Sequence, residues 1–305
     1  MLERPMNPTV SHNPVSLRFF DPAAGALPFT LEALAPGTLA LPVRSNCFTV
    51  LWIRKGEGIY HPDLMEHHFR GPVLLFANPY QTLFLESRAE MDGTLMRFHA
   101  NFLCIETHHE EVGCNGVLFN RLHGQPMVRC DAAFAKEIGG LVSQIEAEFT
   151  TGDVAHGEAM GSLLKILLIK ASRVKLEQLA AMPASGESAS HLVLNDLLEL
   201  VERQYQTLRR PREYAARLGM TPKALGRVVK EELGTTLTGL IRDRMLRHAK
   251  WHLLHTLRPV KEIAAEAGFA DEFYFSRLFK SSTGFSPTAF REFETRIRNG
   301  GNLSM

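Results

Sequence analysis

The chain has 305 residues, of which 45% are hydrophobic and 22% are charged, and its formal net charge is +1. Its length exceeds that of a common single domain and predicts two folded units, each with its own core. Apolar runs long enough for a membrane span or a signal peptide are not evident in the sequence, so we expect a cytoplasmic protein. The four cysteines are scattered without a CxxC pair, which favours reduced thiols over a disulfide framework.

Charge is distributed unevenly along the chain. Residues 191–305 contain 19 Lys and Arg against 13 Asp and Glu, whereas residues 1–190 contain 15 against 20. An excess of positive charge at one end indicates a polyanionic partner for that part of the chain.

The region from residue 47 to residue 99 has the pattern of short strands. Runs of β-branched and aromatic residues, such as CFTVLWI, EHHF, VLLF, TLFLE and GTLMRFH, alternate with turn residues. Several short strands at this spacing predict a β-sandwich or a small β-barrel.

Helical periodicity begins after Asp131, a candidate N-cap, and continues to residue 149. The next run, MGSLLKILLIKASRVKLEQL, is apolar over most of its circumference and should be buried against its own domain or a second subunit. The small and polar stretch MPASGESAS, residues 182–190, is typical of a linker. Beyond it the pattern predicts seven helices at about 192–205, 211–218, 222–233, 237–255, 260–267, 272–282 and 287–297.

The stretch REYAARLGMTPKALGRVVKEELG predicts a first helix-turn-helix. Ala215 allows close helix packing, and Gly219, four residues later, can adopt the left-handed conformation of a tight turn. Thr221 is the expected cap of the second helix, and Pro222 stands at its first position. The predicted inward face of that helix consists of Leu225, Val228 and Val229.

The same pattern recurs 49 residues later in KEIAAEAGFADEFYFSRLFK. Ala264 and Gly268 repeat the spacing, Asp271 is the expected cap, and Phe269 should pack the turn. The predicted inward stripe consists of Tyr274, Phe275, Leu278 and Phe279. Two such units with matching caps in the basic end of the chain predict a DNA-binding domain.

The motifs IAxxxGF, YFSRLFK and TGFSPTAFR closely resemble the second helix-turn-helix of the AraC/XylS family of bacterial transcription regulators. The first unit, with LGxxxxxLxRxxK and the helix after it, is also similar to the family. The resemblance implies two helix-turn-helix units joined by one long helix, with the second helix of each unit in the major groove. The DNA-contacting positions that it implies are Lys223, Gly226, Arg227, Lys230, Glu272, Phe273, Ser276, Arg277 and Lys280.

Side-chain chemistry assigns expected roles to these positions. Arg277 can bridge two acceptors of guanine, whereas Lys230 and Lys280 lie further along their helices and suit phosphates. Gly226 offers no side chain, and Val229 replaces the Phe that is usual in the family. We therefore expect the first unit to recognise less sequence than the second.

The resemblance also implies an α+β multidomain chain. It comprises a cupin-like, effector-sensing β-barrel at 1–130, a helical dimerisation segment at 131–182, a linker at 183–190 and the double helix-turn-helix at 191–300. The expected partners are promoter DNA, RNA polymerase, a small-molecule effector and a second copy of the chain; neither a cofactor nor catalysis is expected. Candidate effector-binding residues inside the barrel are Arg44, Trp52, Tyr60 and Phe84.

Two alternatives to this interpretation remain open. A metal- or redox-sensing regulator could use His99, Cys104, His108 and Cys114, because Cys104 and His108 would share one face of a helix. The second alternative is a cupin enzyme with an accessory DNA-binding domain. A metal-binding cupin pattern does not fit, since His67 and His68 are adjacent on a predicted strand and should point to opposite faces.

Overall fold

A computed structural model shows a mixed α+β chain, with sheets in the amino-terminal part and helices in the carboxy-terminal part. The predicted fold class is confirmed at this level. The structure describes residues 16–35, 37–63, 65–87, 90–103, 117–119, 125–181, 189–233 and 235–297.

Ten strands are described. In chain order they are β1 Ser16–Leu17, β2 Phe29–Ala33, β3 Val43–Arg44, β4 Phe48–Lys55, β5 Glu57–Pro62, β6 His67–Arg70, β7 Val73–Ala77, β8 Thr82–Ser87, β9 Asp92–Phe98 and β10 Met127–Arg129. They form two five-stranded sheets with the orders β1-β3-β8-β5-β6 and β10-β7-β4-β9-β2. Among the described strands the two sheets have separate ladders, so these ladders form no closed barrel.

Alternation along β4 places the second sheet in the middle of three layers. Leu51 and Ile53 face the first sheet, whereas Val50 and Trp52 face the helices packed on the other side. These helices are α1 Ala100–Leu103, α2 Ala132–Thr151 and α3 His156–Ala180. We call this three-layered part, residues 16–181, the sheet domain.

The predicted cap of α2 is confirmed, because the side chain of Asp131 accepts a hydrogen bond from the backbone N–H of Phe134 at 2.8 Å. The apolar run that follows α2 forms helix α3, whose Leu164, Leu167 and Leu168 are fully buried against α2 and the second sheet. The prediction that this apolar helix is buried against its own domain or a second subunit is therefore confirmed for its own domain.

The second part of the chain is all helical. Its helices are α4 Ala189–Gln204, α5 Pro211–Arg217, α6 Pro222–Leu233, α7 Leu237–His255, α8 Val260–Glu266, α9 Glu272–Thr283 and α10 Pro287–Ile297. They share one hydrophobic core. None of the helices in the described part of the chain is long and apolar enough to cross a membrane.

Both helix-turn-helix units have the turn chemistry that the sequence predicts. Gly219 and Gly268 have φ angles of +64° and +97°, in the left-handed region that glycine tolerates best. Ala215 and Ala264 are buried where the paired helices meet. The Asp271 carboxylate accepts hydrogen bonds from two N–H groups in the first turn of α9, at 2.7 and 2.9 Å.

Candidate nucleic-acid interface and interdomain cleft

Helix α9 presents one face to solvent and buries the other. Phe273 is 79% exposed, and Arg277 and Lys280 are exposed on the following turns. Glu272 and Ser276 are half-buried beside them. Because positions three and four apart share a helix face, these five side chains form one surface, as predicted.

The buried face of α9 is narrower than the sequence predicts. Phe275 and Phe279 are fully buried, and Phe269 packs on Phe275 with ring centroids 5.0 Å apart. Tyr274, predicted to be inward, is instead 38% exposed, and the guanidinium of Arg242 lies 5.9 Å from its ring centroid. The prediction was wrong because position 274 lies about 100° around the helix from 275, at the edge of the buried stripe.

Helix α6 of the first unit exposes Lys223, Arg227 and Lys230. The guanidinium of Arg227 lies 3.8 Å from the carboxylate of Glu231, one turn further along. A side chain added at Gly226 would meet open space, so this position leaves a gap in the exposed face. These positions are consistent with fewer base contacts in the first unit than in the second. That difference stays a prediction.

Arg44, a predicted effector-binding residue, instead joins the two parts of the chain. Its guanidinium donates to the carbonyl oxygen of Ser281, near the end of α9, at 3.0 Å. It also donates to the hydroxyl of Thr82 at 3.0 and 3.2 Å. Burial lowers the pKa of Arg44, with Asp63 opposing the shift.

A second contact between the two parts centres on Glu294 of α10, which is 2% exposed. The hydroxyl of Tyr80 donates a hydrogen bond to one oxygen of this carboxylate. The other oxygen lies 3.3 Å from Nε2 of His99, which is itself 1% exposed. The Tyr80 ring packs on Phe290 with centroids 5.1 Å apart and therefore belongs to the core of the helical part.

Next to this contact lies a cleft with a cavity volume of about 410 Å³. The sheet domain supplies one wall, and α7 and α10 supply the other. Polar and aromatic groups that line it include Asn46, Asn78, Gln81, Arg247, Lys250, Trp251 and His255. A cleft that combines apolar walls with a few polar groups is typical of small-molecule sites.

The other three predicted effector residues lie outside this cleft. Trp52 faces the helical layer, and Tyr60 is buried between the sheets, where its hydroxyl donates to the carbonyl oxygen of Phe76 at 2.8 Å. Phe84 stacks on His61 with centroids 4.0 Å apart. The sequence does not reveal the cleft because its walls come from segments more than a hundred residues apart.

The proposed His and Cys sensor is mostly outside the described residues, which include His99 but not Cys104, His108 or Cys114. His99 is engaged with Glu294 and packs on Phe20 with ring centroids 4.9 Å apart. His67 and His68 lie on opposite faces of β6, one buried and one exposed, as predicted.

The helical part contains the two helix-turn-helix units that the motifs predict. A family described as a helix-turn-helix domain matches residues 214–292, which confirms the resemblance seen in the motifs.

Two transcription regulators are similar in sequence to part of this chain. The HTH-type transcriptional activator RhaR of Klebsiella pneumoniae is 29% identical over 155 residues, which are 50% of this chain and 53% of the relative. The arabinose operon regulatory protein of Escherichia coli K12 is 35% identical over 72 residues, 24% of this chain and 25% of that protein. The chain thus spans about half the length of the first relative and a quarter of the second.

Solved structures of ToxT from Vibrio cholerae align along most of the chain. Apo ToxT of Vibrio cholerae, in a variant form, covers 88% of this chain and 97% of its own, with 17% identity and a TM-score of 0.39.

Proposed function

We propose that the protein is a sequence-specific transcription regulator whose DNA binding is controlled by a small-molecule effector. The observation that carries the proposal is the exposed face of α9, where Phe273, Ser276 and Arg277 lie on a capped helix packed on a buried core. An arginine on such a face can bind guanine in the major groove, and an exposed Phe can contact a thymine methyl group. The RhaR relative, named as a transcriptional activator, supports the same function.

The first unit contributes mainly affinity in this proposal. Lys223, Arg227 and Lys230 would approach the DNA backbone or the adjacent groove, whereas Gly226 contributes no base contact. Lys280 in the second unit has the corresponding phosphate-binding role, and Glu272 lies beside the groove-facing residues.

The effector would act through the contact between the two parts of the chain. The interdomain cleft borders Tyr80, His99 and Glu294, and Arg44 of the sheet domain bonds to the end of α9. A ligand in the cleft would change how α9 and α10 are held and hence how the second unit meets DNA. Binding that favours one arrangement shifts the population toward it by its differential affinity.

The remaining elements of the proposal concern the sheet domain. In this proposal the two sheets are a cupin-like arrangement, and the domain senses an effector rather than acting as an enzyme. The helical segment at 131–182 supplies a homodimer interface, with Ile166 and Leu176 as exposed apolar side chains on α3. The regulator acts in the cytoplasm at promoters, where it contacts RNA polymerase.

Genome-wide mapping of DNA bound by the full chain in its native host tests this function. The proposal predicts discrete bound sites upstream of genes, with a shared sequence motif that is lost in an Arg277→Ala, Phe273→Ala double variant. The neighbouring genes would then suggest the effector class. Uniform background binding by the folded wild-type chain would contradict the proposal.

A further inference from the structure

A cluster of two histidines and a glutamate lies in the DNA-binding domain, away from the exposed face of α9. His248 and His252 are four residues apart and therefore share one face of α7, and Glu266 ends α8 opposite them. One ligand atom from each of the three residues falls within 4.8 Å of the others. The DNA-contact roles proposed above do not use this cluster, and of its three residues His248 also lines the interdomain cleft.

We propose that His248, His252 and Glu266 form a binding site for a divalent transition-metal ion such as Zn²⁺. In the structure, Nε2 of each histidine lies 3.6 Å from the same oxygen of Glu266. Those distances are long for hydrogen bonds. They are close to the roughly 3.3 to 3.5 Å that separates ligands placed tetrahedrally at about 2.0 to 2.2 Å from zinc.

An unsatisfied nitrogen atom supports a ligand at this position. Nε2 of His248 is buried and has no hydrogen-bond partner among the described residues. Its Nδ1 lies 2.7 Å from the hydroxyl of Tyr205, and in the tautomer whose Nδ1–H donates to that oxygen, the lone pair is on Nε2 at the site. Metal-bound histidines commonly have such an outer partner, which fixes the ring and its tautomer.

The charges around the cluster select the kind of ion. Arg258 bonds to the second oxygen of Glu266 and leaves the first oxygen for a metal. Because Arg258 offsets the carboxylate charge, binding must rely on the two imidazoles, which favour Zn²⁺, Ni²⁺ or Cu²⁺ over Mg²⁺ or Ca²⁺. The three side chains are 11%, 16% and 32% exposed, so water can complete the coordination.

Such an ion would join two helices of the DNA-binding domain. It would attach α8, the first helix of the second helix-turn-helix, to the long helix α7. Metal binding to the folded chain stabilises it by mass action and would hold the second unit in a fixed orientation.

The test uses the full chain, stripped with a chelator and titrated with Zn²⁺ against a chromophoric competitor. We expect the wild type to bind about one equivalent of Zn²⁺, with a rise in Tm. His252→Gln and Glu266→Gln each remove a ligand, so each should weaken Zn²⁺ binding by at least the roughly 10- to 100-fold that loss of an outer partner causes. Tyr205→Phe should weaken binding by about 10-fold while the protein stays folded. Glu262→Gln on α8 and His156→Gln on α3 are matched controls and should bind as the wild type does.

A second arm separates this site from the cysteine segment. The Cys104→Ser, Cys114→Ser variant should keep the ion that His252→Gln loses, and Co²⁺ bound to the wild-type chain should show no thiolate charge-transfer band. The proposal is overturned if zinc binding fails in the wild type, persists unchanged in the two ligand variants, or disappears only with the cysteines. These readouts do not involve DNA, so they stand or fall separately from the regulator function.

Discussion

The hydroxyl of Tyr80 in the sheet domain donates a hydrogen bond to the buried carboxylate of Glu294 on α10 of the helical part. These residues are 214 positions apart in the sequence. Tyr80 lies between β7 and β8 in the left-handed region with φ +68°, and its ring is 6% exposed. The bond therefore joins a strained turn beside the cleft to the helix that supports α9.

Tyr80→Phe should loosen the contact between the two parts of the chain. Loss of a hydrogen bond to a charged group costs about 1.5 to 3 kcal/mol, and amide hydrogen exchange in α10 should become faster. Tyr60→Phe is the control, because it removes a buried hydroxyl that bonds within the sheet domain. Equal exchange rates in α10 for both variants would show that Tyr80 does not couple the two parts.

Phe273 and Phe275 should separate DNA binding from folding. Phe275→Ala removes a fully buried ring and should lower the free energy of unfolding by about 3 to 5 kcal/mol. Phe273→Ala should change it by less than about 0.5 kcal/mol, since the ring is exposed. We expect Phe273→Ala to weaken specific DNA binding by about 1 kcal/mol in a fluorescence titration, the lower end for a base contact. Unchanged specific affinity would remove Phe273 from the interface.

Two glycines of the helix-turn-helix units should respond oppositely to alanine. Gly226 lies within α6 with open space around it, so Gly226→Ala should stabilise the chain by about 0.5 to 1 kcal/mol. At Gly268 the φ is +97°, and an added Cβ would lie 3.2 Å from Met245 Cε. Gly268→Ala should therefore destabilise the chain by at least about 1 to 2 kcal/mol. Urea unfolding measures both changes, and a loss of stability in Gly226→Ala would contradict the position of that residue.

Lys175 of α3 should make stability depend on pH above neutrality. Burial, followed by the charge of Arg129, lowers the pKa of Lys175 to about 8, although its ammonium donates to the carbonyl oxygens of Gln125 and Met127. Between pH 8 and the usual lysine pKa of about 10.4 the unfolded chain holds more protons than the folded chain, so the free energy of unfolding rises with pH.

The comparison that isolates this effect is Lys175→Met against the exposed Lys136→Met. The free energy of unfolding of the wild type minus that of Lys175→Met should rise from pH 8 to pH 10. The same difference for Lys136→Met should stay constant. Parallel pH profiles for the wild type and Lys175→Met would contradict the lowered pKa.

The sequence predicts the helical part well because its signals are local. Gly219 and Gly268 mark turns that need positive φ, and Asp271 caps the helix that follows it. The strands of the sheet domain between residues 48 and 98 also lie where runs of β-branched and aromatic residues alternate with turn residues. In contrast, β1, β3 and β10 contain only two or three residues each, too few to show a period, and neither they nor β2 were predicted.

Only the part of the candidate site that depends on local sequence could be predicted. The exposed face of α9 follows from helical spacing and from the family resemblance. Arg44 was expected to face a ligand, but it contacts Ser281, 237 residues away, and no local pattern encodes such a contact. The histidines of α7 lie in a stretch whose i, i+4 spacing was visible, but their glutamate partner comes from another helix.

The most direct test of the central claim compares the DNA sequence preference of wild-type protein with that of Arg277→Ala. Arg54→Ala is the control, because Arg54 is a partly exposed arginine of the sheet domain that is paired with Asp92. Selection of bound sequences from a random DNA pool should give a defined motif for the wild type and for Arg54→Ala. Arg277→Ala should weaken specific binding by about 1 to 3 kcal/mol and relax the preference at one base pair. An unchanged motif and affinity in folded Arg277→Ala would contradict the account.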